Sequence, residues 1–189
     1  MDQHAYLNQF YPLAEADYQR LTVRLNTKIF PKGTLLVQPG QVQRELYFVQ
    51  SGVQMSFVED GAGRQQVIAF TYPPGPCAIP GSFPGQLPSR YFLACLSDSR
   101  LDCLAYEALQ ELFDQSLPVE RLFRRMTEAL LAGVIDRHVE LHTLGMEERY
   151  RAFCRRSPHL LQRVPHKYIA SYLGIDPTNF SKLYNTVKF

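Results

Sequence analysis

Val164-Pro165-His166-Lys167-Tyr168-Ile169-Ala170-Ser171-Tyr172-Leu173-Gly174-Ile175-Asp176-Pro177-Thr178-Asn179-Phe180-Ser181-Lys182-Leu183-Tyr184 is the stretch on which the fold turns. It reads as two short helices around one corner. Pro165 fits the first turn of a helix, where its missing N–H would be an orphan in any case, and Ile169, Ala170 and Leu173 fall on one face. Gly174 stops that helix. Asp176 can cap a second helix with its carboxylate, and Pro177 enters the first helical position with φ already set. Phe180, Leu183 and Tyr184 return an apolar face, leaving Thr178, Asn179, Ser181 and Lys182 outward on the N-terminal half. Ala170 is small where the two helices must cross, and Gly174 permits a sharp corner, which is the helix-turn-helix pattern. A second helix laid in a major groove presents its first two turns to base edges. Thr178 and Asn179 are therefore expected to reach bases, and Lys182 a guanine or a phosphate. His166 and Lys167, opening the first helix, are expected to meet the phosphate backbone. A helical hairpin that only closes a core would explain the apolar face equally well.

Charge bears on that choice. Of the 189 residues, 20 are Lys or Arg and 18 are Asp or Glu, but residues 145–189 carry 8 basic and 3 acidic side chains while residues 1–144 carry 12 and 15. A basic end on a slightly acidic chain suits attraction to a phosphate backbone, although a solvated face gives the same asymmetry. Upstream, Phe123, Thr127, Leu130, Val134, Arg137, Leu141 and Leu144 recur at spacings of four and three, which predicts one stripe along a helix over 117–145. A helix of that length, about 1.5 Å per residue, outreaches a small roll. Its stripe is expected to meet its twofold copy in a homodimer through Phe123, Thr127, Leu130, Val134, Arg137 and Leu141, the alternative being cover by the roll in the same chain.

Eight of the 13 prolines lie between Pro31 and Pro88, and residues 119–157 contain none, so sheet is expected before helix. Glu45–Gln50, Val53–Val58, Gln66–Tyr72, Tyr91–Leu96 and Leu101–Tyr106 read as strands, joined at Ser51-Gly52 and at Gly61-Ala62-Gly63 by tight turns. Short strands at this spacing make an antiparallel roll, and the fold class expected is α+β. With 46% hydrophobic residues the chain has a real core, which excludes a disordered tail or a disulfide miniprotein. The four cysteines at 77, 95, 103 and 154 form no CxxC pair. The opening Met1-Asp2-Gln3-His4 lacks the order of a signal peptide and no apolar run approaches about 20 residues, so a reduced, cytoplasmic protein without membrane contact is expected.

Phe30-Pro31-Lys32-Gly33-Thr34-Leu35-Leu36, Pro39-Gly40, Leu46–Gly52, the Gly61–Gly63 hairpin, Ile169–Ile175 and Phe180-Ser181-Lys182-Leu183 together resemble the Crp/Fnr superfamily of transcription regulators. The resemblance runs over nearly the whole chain. It implies a cyclic-nucleotide-binding-like β-roll (a double-stranded β-helix) over 1–116, a dimerisation helix over 117–145 and a helix-turn-helix DNA-binding domain over 146–189. Leu160–Pro165 with Glu148-Arg149-Tyr150 is similar to the Bacteroidetes-type branch. The partners implied are double-stranded DNA, a second copy, an effector of unknown identity and RNA polymerase.

Two departures stand out against the resemblance. Nucleotide-binding relatives carry a Phe-Gly-Glu stretch, whose Glu accepts from ribose, and then an Arg-Ser or Arg-Thr pair at the cyclic phosphate. Here the loop is Cys77-Ala78-Ile79-Pro80-Gly81-Ser82-Phe83, followed by Leu87-Pro88-Ser89-Arg90-Tyr91. The ribose acceptor is missing, and Pro80, Pro84 and Pro88 delete N–H groups where phosphate would need them. Gly81, Ser82, Ser89 and Arg90 remain the candidate effector residues, with Val134 and Ile135 at the base position. Cyclic AMP is not expected to bind in the usual way, and no cofactor is expected. The second departure is the five-residue stretch 185–189, too short for a β-hairpin wing.

Enzyme readings fare worse. A cupin-like metal roll would share the strand pattern, yet no histidine occurs from Ala5 to Arg137. No nucleophile elbow, P-loop or dinucleotide fingerprint appears. His138 and His142 stand at i, i+4, but no third ligand is signalled and no metal is expected. The rival from another class is a roll that binds a ligand or a protein, with a C-terminal hairpin that does not touch DNA.

Overall fold

The computed structural model describes residues 3–187. Met1-Asp2 and Lys188-Phe189, on which the leader and wing expectations partly fall, lie outside the described residues. Two short helices, α1 (Gln3–Leu7) and α2 (Glu15–Thr22), precede eight strands: β1 (Asn26–Phe30), β2 (Leu35–Val37), β3 (Glu45–Ser51), β4 (Gln54–Glu59), β5 (Gln65–Thr71), β6 (Pro76–Cys77), β7 (Phe92–Cys95) and β8 (Ser99–Ala105). The strands form two four-stranded sheets, ordered β1-β8-β3-β6 and β2-β7-β4-β5. Helices α3 (Tyr106–Gln115), α4 (Leu117–Thr143), α5 (Met146–Arg156), α6 (Leu160–Arg163), α7 (His166–Leu173) and α8 (Pro177–Thr186) follow. The α+β architecture is that expected. Among the described residues no helix is long and apolar enough to cross a membrane.

Strand β3 explains how one short sequence feeds two layers. Leu46, Tyr47, Phe48 and Val49 are all buried. The two-residue period sends Tyr47 and Val49 into a cluster with Val37, Cys77, Ile79, Leu93, Leu101 and Cys103, and sends Leu46 and Phe48 into another with Leu109, Leu112, Val119 and Leu122. A strand apolar on both faces is what a sheet covered on both sides needs. At the Ser51-Gly52 turn Gly52 has φ +94°, and a Cβ there would lie 2.3 Å from Ser99 Oγ and 2.7 Å from the Asp98 carbonyl, so glycine is demanded twice over. All four cysteines are free and buried, and burial pushes the Cys77 and Cys103 thiols up to about 12.

Contacts divide the chain into two compact units, residues 1–56 with 70–132 and residues 57–69 with 133–189. The 27-residue α4 is therefore shared. Its first half belongs to the roll's core, because Val119, Leu122 and Met126 are buried there and the Phe123 ring meets Phe48 at 6.3 Å and Phe113 at 5.4 Å. In the second unit the hairpin between β4 and β5 turns on Asp60, whose carboxylate accepts from the Arg64 and Ala62 amides and is held at about 2 by those bonds.

Candidate nucleic-acid interface and effector loop

The corner forms as the residue types dictate. Helix α7 ends on Gly174 at φ +61°, with the Gly174 amide donating to Ser171 and the Ile175 amide to Ala170, which closes the last turn. The Asp176 carboxylate accepts from the Thr178 amide at 2.8 Å, and Pro177 occupies the first helical position of α8. Pro165 stands one residue before α7 rather than inside its first turn. Ala170 is fully buried. Around it Tyr150, Phe153, Leu160, Ile169, Leu173, Ile175 and Phe180 make the small core, with the Tyr150 ring edge-on to Phe180 at 5.6 Å.

Of the α8 residues expected at DNA, Thr178, Ser181 and Lys182 are exposed and share one face at i, i+3 and i+4. Asn179 is half-buried, its amide turned toward the Met146 sulfur at 3.9 Å. His166 is also half-buried, its ring 4.2 Å from Tyr184 and 5.4 Å from Phe180, so it packs on α8 instead of standing out. Lys167 is exposed, with its ammonium 4.8 Å from the Tyr168 ring. Three of the six residues expected at DNA thus form one continuous face, one stands beside the first helix, and two point into their own domain.

Along α4 the residues expected to face a second copy separate in the same way. Leu130, Val134 and Leu141 are exposed, and so are Leu131 and Ile135 beside them. Thr127 is exposed, with its hydroxyl donating to the Phe123 carbonyl. Phe123 is packed in the roll's core, and Arg137 is turned onto α7, where its guanidinium lies 4.3 Å from the centre of the Tyr172 ring. His138 and His142 are exposed with rings 4.4 Å apart. Among the described residues no group of three or more His, Cys, Asp or Glu is placed to hold a metal.

The candidate effector loop is hydrogen-bonded largely within itself. Gln43, almost wholly buried, accepts from the Ile79 amide at 2.8 Å and donates to the Glu45 carbonyl at 2.7 Å. Ser82 accepts from the Gln43 amide and donates to the Leu87 carbonyl, and Ser89 bonds both polar atoms of the Tyr91 backbone. The Ser82 and Phe83 amides donate to Ile79, the Leu87 amide to Ser82 and the Ser89 amide to Gln41. Gln86 adds bonds to the Gln43 and Phe83 carbonyls. Ser82 and Ser89 are therefore committed inward, while Gly81 and Arg90 lie at the surface, and Val134 and Ile135 are exposed on α4. Two surface cavities of about 410 and 390 Å³ occur on the roll, the first between Tyr18, Thr27, Gln50, Arg100 and Asp102, the second between Leu36, Gln41, Gln43, Arg44, Glu45 and Glu107.

Sequence reasoning missed three positioning groups. Arg149 donates to the Leu141 and Gly174 carbonyls at 3.3 Å each, and Arg156 pairs with Glu140 at 2.9 Å. Ser171 accepts from the Val67 amide at 2.9 Å, which ties the β4–β5 hairpin to α7. Nothing in local periodicity signals any of these, since each joins segments distant in sequence.

A β-roll, a long helix and a C-terminal pair of helices around a capped corner make up a fold that is also found in solved transcription regulators. Residues 27–116 match the cyclic nucleotide-binding domain family. Among solved structures the chain is similar to FixK2 from Bradyrhizobium japonicum, at 17% identity and TM-score 0.76 over 85% of this chain and 83% of that one. It is also similar to the c-di-GMP-responsive global regulator CLP of Xanthomonas campestris, at 19% identity and TM-score 0.67 over 91% and 90%. The catabolite activator protein of Thermus thermophilus matches at 19% identity and TM-score 0.59 over 93% and 84%. No curated protein matches the chain.

Proposed function

We propose that this chain is a sequence-specific DNA-binding transcription regulator that works as a homodimer through α4 in the cytoplasm. The observation that carries the reading is the capped α8, which presents Thr178, Ser181 and Lys182 on one exposed face of a regulator fold. That face is polar, small and basic, as entry into a major groove requires. RNA polymerase is the natural second partner of a DNA-bound regulator, and the Bacteroidetes-type attribution rests on Leu160–Pro165 and Glu148-Arg149-Tyr150 alone. Lys182→Ala is expected to weaken binding to a duplex selected from random sequence about tenfold and to lower the slope of log K against log salt by about 1. Equal retention of the selected and of random duplexes by wild type and by Lys182→Ala would reject the reading. It would favour instead a roll that contacts protein or a ligand, which the inward turn of Asn179 and His166 already suits.

The effector pocket is degenerate in this reading. Hydroxyls and amides that would meet a cyclic phosphate are bonded within the loop, and Pro80, Pro84 and Pro88 have none to give. Titration of the full chain with cyclic AMP, followed by calorimetry, is expected to give no saturable heat at micromolar concentrations, the range of about −8 kcal/mol. Micromolar binding that Arg90→Ala abolishes would restore the usual pocket. If any effector acts, it is one that does not require a ribose acceptor.

A further inference from the structure

Helix α7 is held to the second half of α4 by a cluster with Arg137 at its centre. The Arg137 guanidinium stacks on the Tyr172 ring, its Nη2 donates to the Tyr172 backbone carbonyl, and its Nη1 lies 3.7 Å from Glu140. Glu140 in turn accepts from Arg156 of α5 at 2.9 and 3.3 Å. One residue past Tyr172 and Leu173, the Gly174 carbonyl accepts from Arg149, which also bonds the Leu141 carbonyl. These links end on the corner from which α8 departs. The guanidinium is nevertheless poorly satisfied, because Nε and Nη1 are buried without a hydrogen-bond partner. Burial lowers its pKa from the ordinary arginine value. A cation stacked on one ring, bonded to one carbonyl and 3.7 Å from one carboxylate, with two buried nitrogens lacking a hydrogen bond, costs desolvation that a simple packing residue would not incur. Leucine at this position would fill the same space more cheaply.

We propose that Arg137 is a positioning residue for DNA recognition: stacked on Tyr172, it fixes the rotation of α7 and α8 about α4 and so sets the separation of the two recognition helices in a dimer. The inference rests on the reading of the chain as a dimeric DNA-binding regulator. A rigid dimer matches half-sites at one spacing, about one helical turn apart, and each inserted base pair rotates one half-site away from its helix. A loosened α7 follows that rotation. Lysine cannot replace Arg137, since it has no planar face to stack and one point charge in place of the fork.

The test uses the full chain and a duplex selected from random sequence by the wild type, together with versions carrying one or two extra central base pairs. Wild type is expected to lose about tenfold in affinity for each insertion, whereas Arg137→Ala and Arg137→Lys lose under about threefold, with binding to random duplex unchanged. Tyr172→Leu, which keeps the carbonyl and removes the ring face, is expected to behave as Arg137→Ala. A full spacing penalty in Arg137→Ala would overturn the proposal, and so would one in Tyr172→Leu. Amide hydrogen exchange on the free proteins decides the matter without DNA: Arg137→Ala is expected to raise exchange in α7 and α8 about tenfold and leave β3 and β8 untouched. Unchanged exchange there overturns the proposal. A wild type that selects no duplex defeats the DNA reading alone, and the exchange result still stands on its own.

Discussion

Phe180→Ala unfolds the C-terminal helices while leaving the roll folded, because removing this side chain costs about 3–5 kcal/mol in a small core. The ring is 1% exposed and packs against Tyr150 and His166. Among the C-terminal helices the large buried side chains are Tyr150, Phe153, Leu160, Val164, Ile169, Leu173, Ile175 and Phe180. A core of that size gives a marginal stability of the same order as the expected loss, whereas the roll's two clusters are built from other residues. Urea unfolding followed by far-UV circular dichroism is expected to lose helical signal at low denaturant and to retain the sheet transition of the wild type. Binding to a selected duplex should vanish with the helices. A variant that unfolds in one step at the wild-type midpoint would mean that the corner is braced from elsewhere and that Phe180 is not its keystone.

The corner was legible because local chemistry alone builds it. A glycine that can take positive φ, an aspartate that caps and a proline at the next position each act within two or three residues, so Gly174, Asp176 and Pro177 do in the structure what their types predict. The roll's strands were legible through their period and turns for the same reason. What local pattern cannot carry is which of two equivalent faces finds a partner far away in sequence. Arg137 and Phe123 sit on the helical stripe by spacing, yet one meets Tyr172 and the other Phe48. Asn179 and His166 look outward on a helical wheel, but α5 and α8 lie close enough to take them. The loop at Ser82 tells the same story from the other side. A missing glutamate and three prolines lead to the expectation of a degenerate pocket, whereas the bonds that Gln43 and Gln86 make within the loop need the fold to bring positions 43 and 82 together.

Leu131→Glu with Val134→Glu is expected to convert the protein to a monomer and to weaken binding to a two-half-site duplex by about 10²–10⁴-fold. Leu130, Leu131, Val134 and Ile135 are each more than half exposed, at 55, 59, 56 and 53%, and Leu141 is 36% exposed. Single exposed apolar side chains, such as Val139 on another side of the helix, need no explanation, but these five within about three turns form a patch that water does not favour. Their spacing returns to one side of the helix, flanked by Thr127, His138 and His142, so a twofold copy would bury the patch against itself. Symmetry makes the substitution severe. Each glutamate enters twice, and like charges would face one another across an interface that excludes solvent. Neither position lies among the buried residues of the chain, so the fold of the protomer should survive, and the circular dichroism of the variant should match wild type. Binding then falls because a second half-site no longer follows the first at high effective concentration, while single-half-site affinity stays within about twofold. Sedimentation equilibrium and a shift assay on one and two half-sites read both quantities. A wild type that sediments as a monomer, or a double variant that still dimerises, would show that the exposed stripe of α4 serves something other than its own copy.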